Sequence, residues 1–127
     1  MAERRLGGND KVTAQLTITN TVQNLSDSGS VRVRGNAEIR DFELYNPNSF
    51  PVWLKIFNTA AASTTLSSAV PNEYYELAPD TVTHRPPGKP ARVHTTISFA
   101  VTREPTAGAT TPSSSVTGRI VYGNSVI

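Results

Sequence analysis

From Val12 the chain alternates. Val12, Ala14, Leu16 and Ile18 fall on one side of an extended backbone, and Thr13, Gln15, Thr17 and Thr19 on the other. This period of two predicts a strand with one buried face. A turn cluster, Asn24 to Ser30, follows, and then a short alternating strand, Val31–Arg34, closed by Gly35-Asn36. Ala37 to Tyr45 reads as a further strand whose apolar phase slips between Ile39 and Phe42, which predicts a β-bulge at Arg40-Asp41. The turn signal Asn46-Pro47-Asn48-Ser49 then precedes Val52 to Asn58, apolar on both faces apart from Lys55. Such a run suits the centre of a sheet, and the two strands flanking the turn are expected to form a hairpin.

Thr59 to Val70 is rich in Ala, Ser and Thr and reads as a surface loop, with one helical turn at Ala60-Ala61-Ala62 as the weaker reading. Tyr74 to Leu77 is a short strand. Pro79 to Pro90 carries prolines at 79, 86, 87 and 90, so an extended loop is expected there. Val93, Thr95, Ile97, Phe99 and Val101 alternate with His94, Thr96, Ser98, Ala100 and Thr102, predicting a second half-buried strand. A Thr/Pro/Ala/Ser loop from Glu104 to Ser115 leads to a last strand, Val116 to Tyr122. There is no internal repeat. About seven short strands without a long helix predict an all-β fold, an antiparallel β-sandwich of jelly-roll or immunoglobulin-like type. The expected core comprises Leu16, Ile18, Leu44, Leu54, Ile56, Ile97, Phe99 and Ile120. Residues 1–11 are polar and aperiodic and read as an extended N-terminal arm, disordered in the free subunit, with residues 12–127 forming one sandwich domain.

Composition agrees. A chain of 127 residues has room for one core, and its 37% hydrophobic content makes that core modest. It has no Cys, which excludes disulfides and thiolate metal sites. The N-terminus has arginines but no apolar run behind them, so no secretory signal is expected, and no segment reaches the ~20 apolar residues that span a bilayer. The net charge of +2 is spread thinly, its densest parts being Arg4-Arg5 and Arg85, Lys89, Arg92. Nucleic-acid binders concentrate their basic residues on one face, so direct nucleic-acid binding is not expected.

A search for chemistry finds little. His84 and His94 are the only histidines. A metal site on both would need a third ligand such as Asp80, whose spacing from His84 falls in a proline-rich, non-helical stretch. Glu38, Asp41 and Glu43 share one strand and read as its wet face, and Glu73 and Glu76 flank Tyr74-Tyr75; a paired-carboxylate glycosidase is the weaker reading of these residues. Gly7-Gly8 lacks the further glycines and the lysine of a phosphate loop, and Asn24-Leu25-Ser26 is a sequon without a signal peptide. No catalytic residue, metal or cofactor is expected, and the protein is read as a non-enzyme. The remaining candidates are partner-binding residues: Trp53, Phe57, Tyr74 and Tyr75 as an exposed aromatic patch, Arg4, Arg5 and Leu6 in the arm, and Pro86 and Pro87 in the extended loop.

Ala37-Glu38-Ile39-Arg40-Asp41-Phe42-Glu43-Leu44-Tyr45-Asn46-Pro47-Asn48, followed by Val52-Trp53-Leu54-Lys55-Ile56-Phe57-Asn58, resembles small virion structural proteins of tailed bacteriophages. The likeness runs on through Pro86-Pro87-Gly88, Thr95 to Thr102 and the closing strand to Tyr122. It implies a β-sandwich in the virion, made in the host cytoplasm, that acts as capsid cement or decoration on the major capsid protein, as a head-fibre base or as a tail component. Together with the two-sided apolar strand Val52 to Phe57, which needs a cover, and the extended proline loop, which could reach a neighbour, the resemblance predicts a homo-oligomer, a trimer ahead of a dimer, with Trp53, Phe57 or the Pro86-Pro87 segment at or near the contact. The alternative is a carbohydrate-binding module that stacks sugars on Trp53 and the Tyr74-Tyr75 pair.

Overall fold

The computed structural model describes residues 12–25, 37–86, 93–94 and 96–124. The expected arm over 1–11 and the expected strand Val31–Arg34 lie outside the described residues. Nine strands are present among those described: β1 (Val12–Ile18), β2 (Gln23–Asn24), β3 (Ala37–Asn46), β4 (Val52–Phe57), β5 (Glu73–Leu77), β6 (Thr81–His84), β7 (Val93–His94), β8 (Ser98–Thr102) and β9 (Val116–Asn124). They form two antiparallel sheets packed as a sandwich. One runs β1-β9-β3-β6, with β7 also pairing β3; the other runs β2-β8-β4-β5. Of strands consecutive in the chain, only β4 and β5 are bonded neighbours. Nearly every other connection crosses from one sheet to the other, and this strand order is that of a jelly roll.

The hydrophobic alternation explains the packing. Ile39, Phe42 and Leu44 of β3, Val52, Leu54 and Ile56 of β4, Tyr75 and Leu77 of β5, Phe99 and Val101 of β8, and Ile120 and Tyr122 of β9 meet between the sheets with Ile18, Leu25, Ile97 and Val116. Seven of the eight expected core residues are in this cluster, and Leu16 packs against it half-buried. Truncating one of these side chains to Ala should cost ~2–5 kcal/mol. The bulge lies where the phase slip predicts it, since the β3–β9 register shifts between Ile39 and Asp41. Phe42 then re-enters the core with its N–H bonded to Asp41 Oδ1 at 2.8 Å.

Several expectations are corrected. Asn46-Pro47-Asn48 does not close a hairpin: β3 pairs β6, β7 and β9, whereas β4 pairs β5 and β8, so this turn carries the chain between sheets. Asn24, expected to open a turn cluster, instead belongs to a strand, because Gln23–Asn24 pair Phe99 and Ser98 as β2, and residues 26–30 of that cluster lie outside the described residues. The proline-rich stretch is not all loop. Thr81 to His84 pair with Asn46 to Glu43 of β3, and Arg85 N–H continues that edge to the Phe42 carbonyl at 3.3 Å. Pro86 has no N–H to continue it. Val93–His94 also pair with β3, beyond the bulge. The long strand expected from Val93 to Val101 is thus two strands in different sheets.

The outer face of the β2-β8-β4-β5 sheet is roofed. Every residue of β8 is buried, and Phe57 of β4 and Ala100 of β8 form a second small core with Leu66, flanked by Val22 and Ala69. The loop expected at the surface from Thr59 to Val70, which contains a short 3-10 turn at Ala61–Ser63, supplies Leu66 and Ala69. A central strand that is apolar on both faces therefore has both faces covered within the chain.

Candidate interaction surfaces

At one end of the sandwich the Asn46-Pro47-Asn48 motif is interior. Asn46 is fully buried and Asn48 nearly so. Asn46 Nδ2 donates to the carbonyls of Phe50 (3.0 Å), Leu77 (3.0 Å) and Ala78 (3.3 Å). Asn46 Oδ1 accepts from both the backbone and side-chain nitrogens of Asn48 at 2.9 Å. Asn48 in turn exchanges two bonds with the backbone of Ser114, at 3.0 and 2.9 Å. Two amide side chains thus join the β3–β4, β5–β6 and β8–β9 connections, and their polar groups are spent on the chain itself.

Under the roof, Lys55 is fully buried. Its alternation on β4 points it away from the core, and Nζ donates to the carbonyls of Thr106 and, at 3.1 Å, Gly108. The N–H of Gly108 bonds the Leu66 carbonyl at 2.8 Å, tying the two roofing loops to each other. Burial lowers the Lys55 pKa, an effect opposed by the nearby Glu104 carboxylate. Burial pushes Glu104 up, but hydrogen bonds from the Thr110 hydroxyl and N–H outweigh this and hold it below the usual carboxylate value. The ammonium fastens a lid of loop carbonyls and is closed to solvent.

Exposed side chains also line the other sheet's outer face. Tyr45 of β3 and Val82 of β6 are register partners, and both are large apolar side chains open to solvent. The Tyr45 hydroxyl donates to Asp80 Oδ1 at 2.7 Å; this bond, with lesser help from desolvation and the Asp80 charge, raises the Tyr45 pKa. Asp80 holds a left-handed φ of 51°, a conformation Asp tolerates in turns. One row along, Glu43 stands between His84 and Arg119 on neighbouring strands, with Oε2 3.7 Å from each. These partners are exposed, so the row contributes little to stability but gives the face a mixed-charge stripe. Among the described residues no three His, Asp or Glu side chains converge as a metal site.

The expected site residues divide. Trp53 is half-buried and its ring lies 5.9 Å from that of Tyr74, at 54°; Tyr74 is 48% exposed. Phe57 and Tyr75 do not belong to a surface patch. Phe57 is in the second core, and Tyr75 faces inward, its ring 5.1 Å from Phe42 and its hydroxyl donating to Glu73 Oε1 at 2.6 Å. Burial, with this bond second, pushes the Tyr75 pKa up to about 12. Pro86 is exposed, while Arg4, Arg5, Leu6 and Pro87 lie outside the described residues. Sequence reasoning passed over Tyr45 and Val82. The signal was available for Tyr45, which is out of phase with the buried Phe42 and Leu44.

The strand order defines the class, a jelly-roll β-sandwich. No protein-family model matches the chain, and no curated protein or solved structure is significantly similar to it.

Proposed function

We propose that this protein is a non-enzymatic structural protein of a bacteriophage particle, a capsid cement or decoration protein that binds and stabilises the shell of the major capsid protein. The supporting observation is the asymmetry of the sandwich. One outer face is covered over β8 and the middle of β4 by the chain's own loops, leaving Tyr74 open beside the half-buried Trp53, while the other presents Tyr45 and Val82 side by side next to the Glu43, His84 and Arg119 row. An apolar centre with a polar rim is the composition of a protein-binding patch. Jelly rolls serve in viral capsids and in lectins alike, so the phage assignment draws on the sequence resemblance and not on the fold.

Purified virions test the reading. The protein should copurify with intact particles at a fixed copy number relative to the major capsid protein. Removal of residues 1–11, or the pair Tyr45→Ala and Val82→Ser, should weaken attachment while leaving the folded spectrum unchanged. Absence from intact particles, or full attachment by both variants, defeats it. The Trp53–Tyr74 ring pair favours a second reading, a carbohydrate-binding module. With Tyr75 turned inward, its stacking platform has two rings, and a glycan array with Trp53→Ala as control decides it.

A further inference from the structure

The two sheets have four edges, and three of them are guarded. The β2 edge is two residues long. On the β3 side, β6 is four residues long, lies between Pro79 and Pro86 and carries His84, and β7 beside it is two residues long. The β5 edge lies between Pro71 and Pro79 and carries Glu73 and Glu76. Shortness, proline and charge are the devices by which proteins keep strand edges from recruiting other chains. The fourth edge has none of them. β1 is seven residues of Val-Thr-Ala-Gln-Leu-Thr-Ile, without proline, glycine or charge. Among the described residues its only strand partner is β9. A segment of that length and composition is a template for strand pairing.

The ladder indicates which groups are on offer. The Thr17 carbonyl accepts the Gln23 side-chain amide at 3.4 Å, so it faces away from β9. In an antiparallel ladder the backbone groups of Thr13 and Gln15 share that direction. Gln15 is the middle residue of β1. A two-fold axis at Gln15 therefore places Gln15 opposite its own copy and Thr13 opposite Thr17, and all three residues turn their N–H and C=O toward the partner. Strand and axis agree in parity, which a strand of even length could not achieve. No like charges meet in this register, because β1 has none.

We propose that β1 is the dimerisation edge of this protein, where the β1 of a second copy adds antiparallel about a two-fold axis at Gln15 to join two β1-β9-β3-β6 sheets into one. The interaction is carried by main-chain hydrogen bonds, the mode of strand addition. It stands independently of the proposed function, since it concerns two copies of this chain and no virion component. It places the contact elsewhere than the expected trimer or dimer with Trp53, Phe57 or the Pro86-Pro87 segment at or near its contact, and of those residues Phe57 is enclosed within its own chain.

The chain has no cysteine, so single introduced thiols report the register. In the proposed pair the two Gln15 Cα atoms lie about 5.5 Å apart, inside the disulfide range, whereas the two Thr13 Cα atoms are offset by four residues, about 13 Å. Under mild oxidation of the full chain, Gln15→Cys should form a disulfide dimer roughly tenfold or more faster than Thr13→Cys, because the paired thiols meet at an effective concentration in the millimolar range. Thr13→Cys combined with Thr17→Cys should also link. By sedimentation at micromolar concentration the unaltered protein should be a dimer, and Gln15→Lys, which sets like charges opposite each other, a monomer with unchanged circular dichroism. A monomeric or trimeric unaltered chain, or Gln15→Cys oxidising no faster than Thr13→Cys, overturns the proposal.

Discussion

Asn48 and the backbone of Ser114 hold each other by two hydrogen bonds, at 3.0 and 2.9 Å, across 66 positions of sequence. This pair, with Asn46 behind it, closes one end of the jelly roll. Asn46→Ala would leave the Leu77 carbonyl without this donor in a buried setting, and Asn48→Ala would leave the Asn46 oxygen and the Ser114 carbonyl without their Asn48 donors. Each orphaned buried group costs about 1–3 kcal/mol. Either variant should therefore lose about 2–4 kcal/mol in urea unfolding, against a few tenths for the exposed neighbour Ser49→Ala.

Gly118 of β9 lies between Leu16 of β1 and Leu44 of β3. Its φ is +145°, and a Cβ built there would stand 2.0 Å from the Glu43 carbonyl oxygen. The obstacle is backbone in the next strand, so it cannot rotate away. Gly118→Ala should cost at least ~3 kcal/mol, combining an unfavourable φ with a forced opening of the β9–β3 ladder. A melting temperature within a degree or two of the parent would contradict this.

Lys55 sets a pH dependence with a definite sign. Its folded pKa is lowered by burial, so between that value and the ordinary 10.5 the unfolded chain binds more protons than the folded one. In that window stability rises with pH, because the penalty for burying the ammonium disappears as the amine is neutralised. Lys55→Met should lack the rise, and it should loosen the 103–110 loop by abandoning the Thr106 and Gly108 carbonyls. Urea midpoints measured up to pH 10.5 compare the two slopes.

Tyr75 acts in the opposite direction at higher pH. Its folded pKa of about 12 exceeds the ordinary 10.0, so its contribution is whole below pH 10 and is lost as pH climbs from 10 towards 12. The displacement amounts to roughly 3 kcal/mol. Tyr75→Phe should flatten this alkaline loss, and phenolate absorbance should show one tyrosine of the folded chain titrating near pH 12.

The alternation of β1, the bulge in β3 and the two-sided burial of β4 were legible because each depends on local phase. What escaped depends on which sheet the chain enters next. Asn46-Pro47-Asn48 announces a turn but not its destination, and a return within one sheet looks the same in sequence as a crossing to the other. The strand period likewise runs unbroken from Val93 to Val101, while the chain changes sheets between His94 and Ser98. Of the adjacent pair Tyr74-Tyr75, a strand can show only one ring to solvent, and Leu77 in phase with Tyr75 was the clue to which. Lys55 was the reverse case: a charge marks a wet face in most strands, and here loops distant in sequence cover it. Tyr45 was concealed by its place beside the turn motif.

β9 is the last strand in chain order and the second in its sheet, lying between β1 and β3. A ribosome that has delivered everything through Ser115 has delivered a sheet without its middle: β1 has no neighbour to pair with, and β3 lacks the partner that spans most of its length. Cotranslational growth therefore cannot complete this domain step by step. Such dominance of distant pairings places it among slow folders, and the charge-free β1 waits unpaired until β9 emerges, when an encounter with another nascent copy is most hazardous. Chains truncated before Val116 should accordingly be found as aggregates or as clients of chaperones, and not as partly folded subunits.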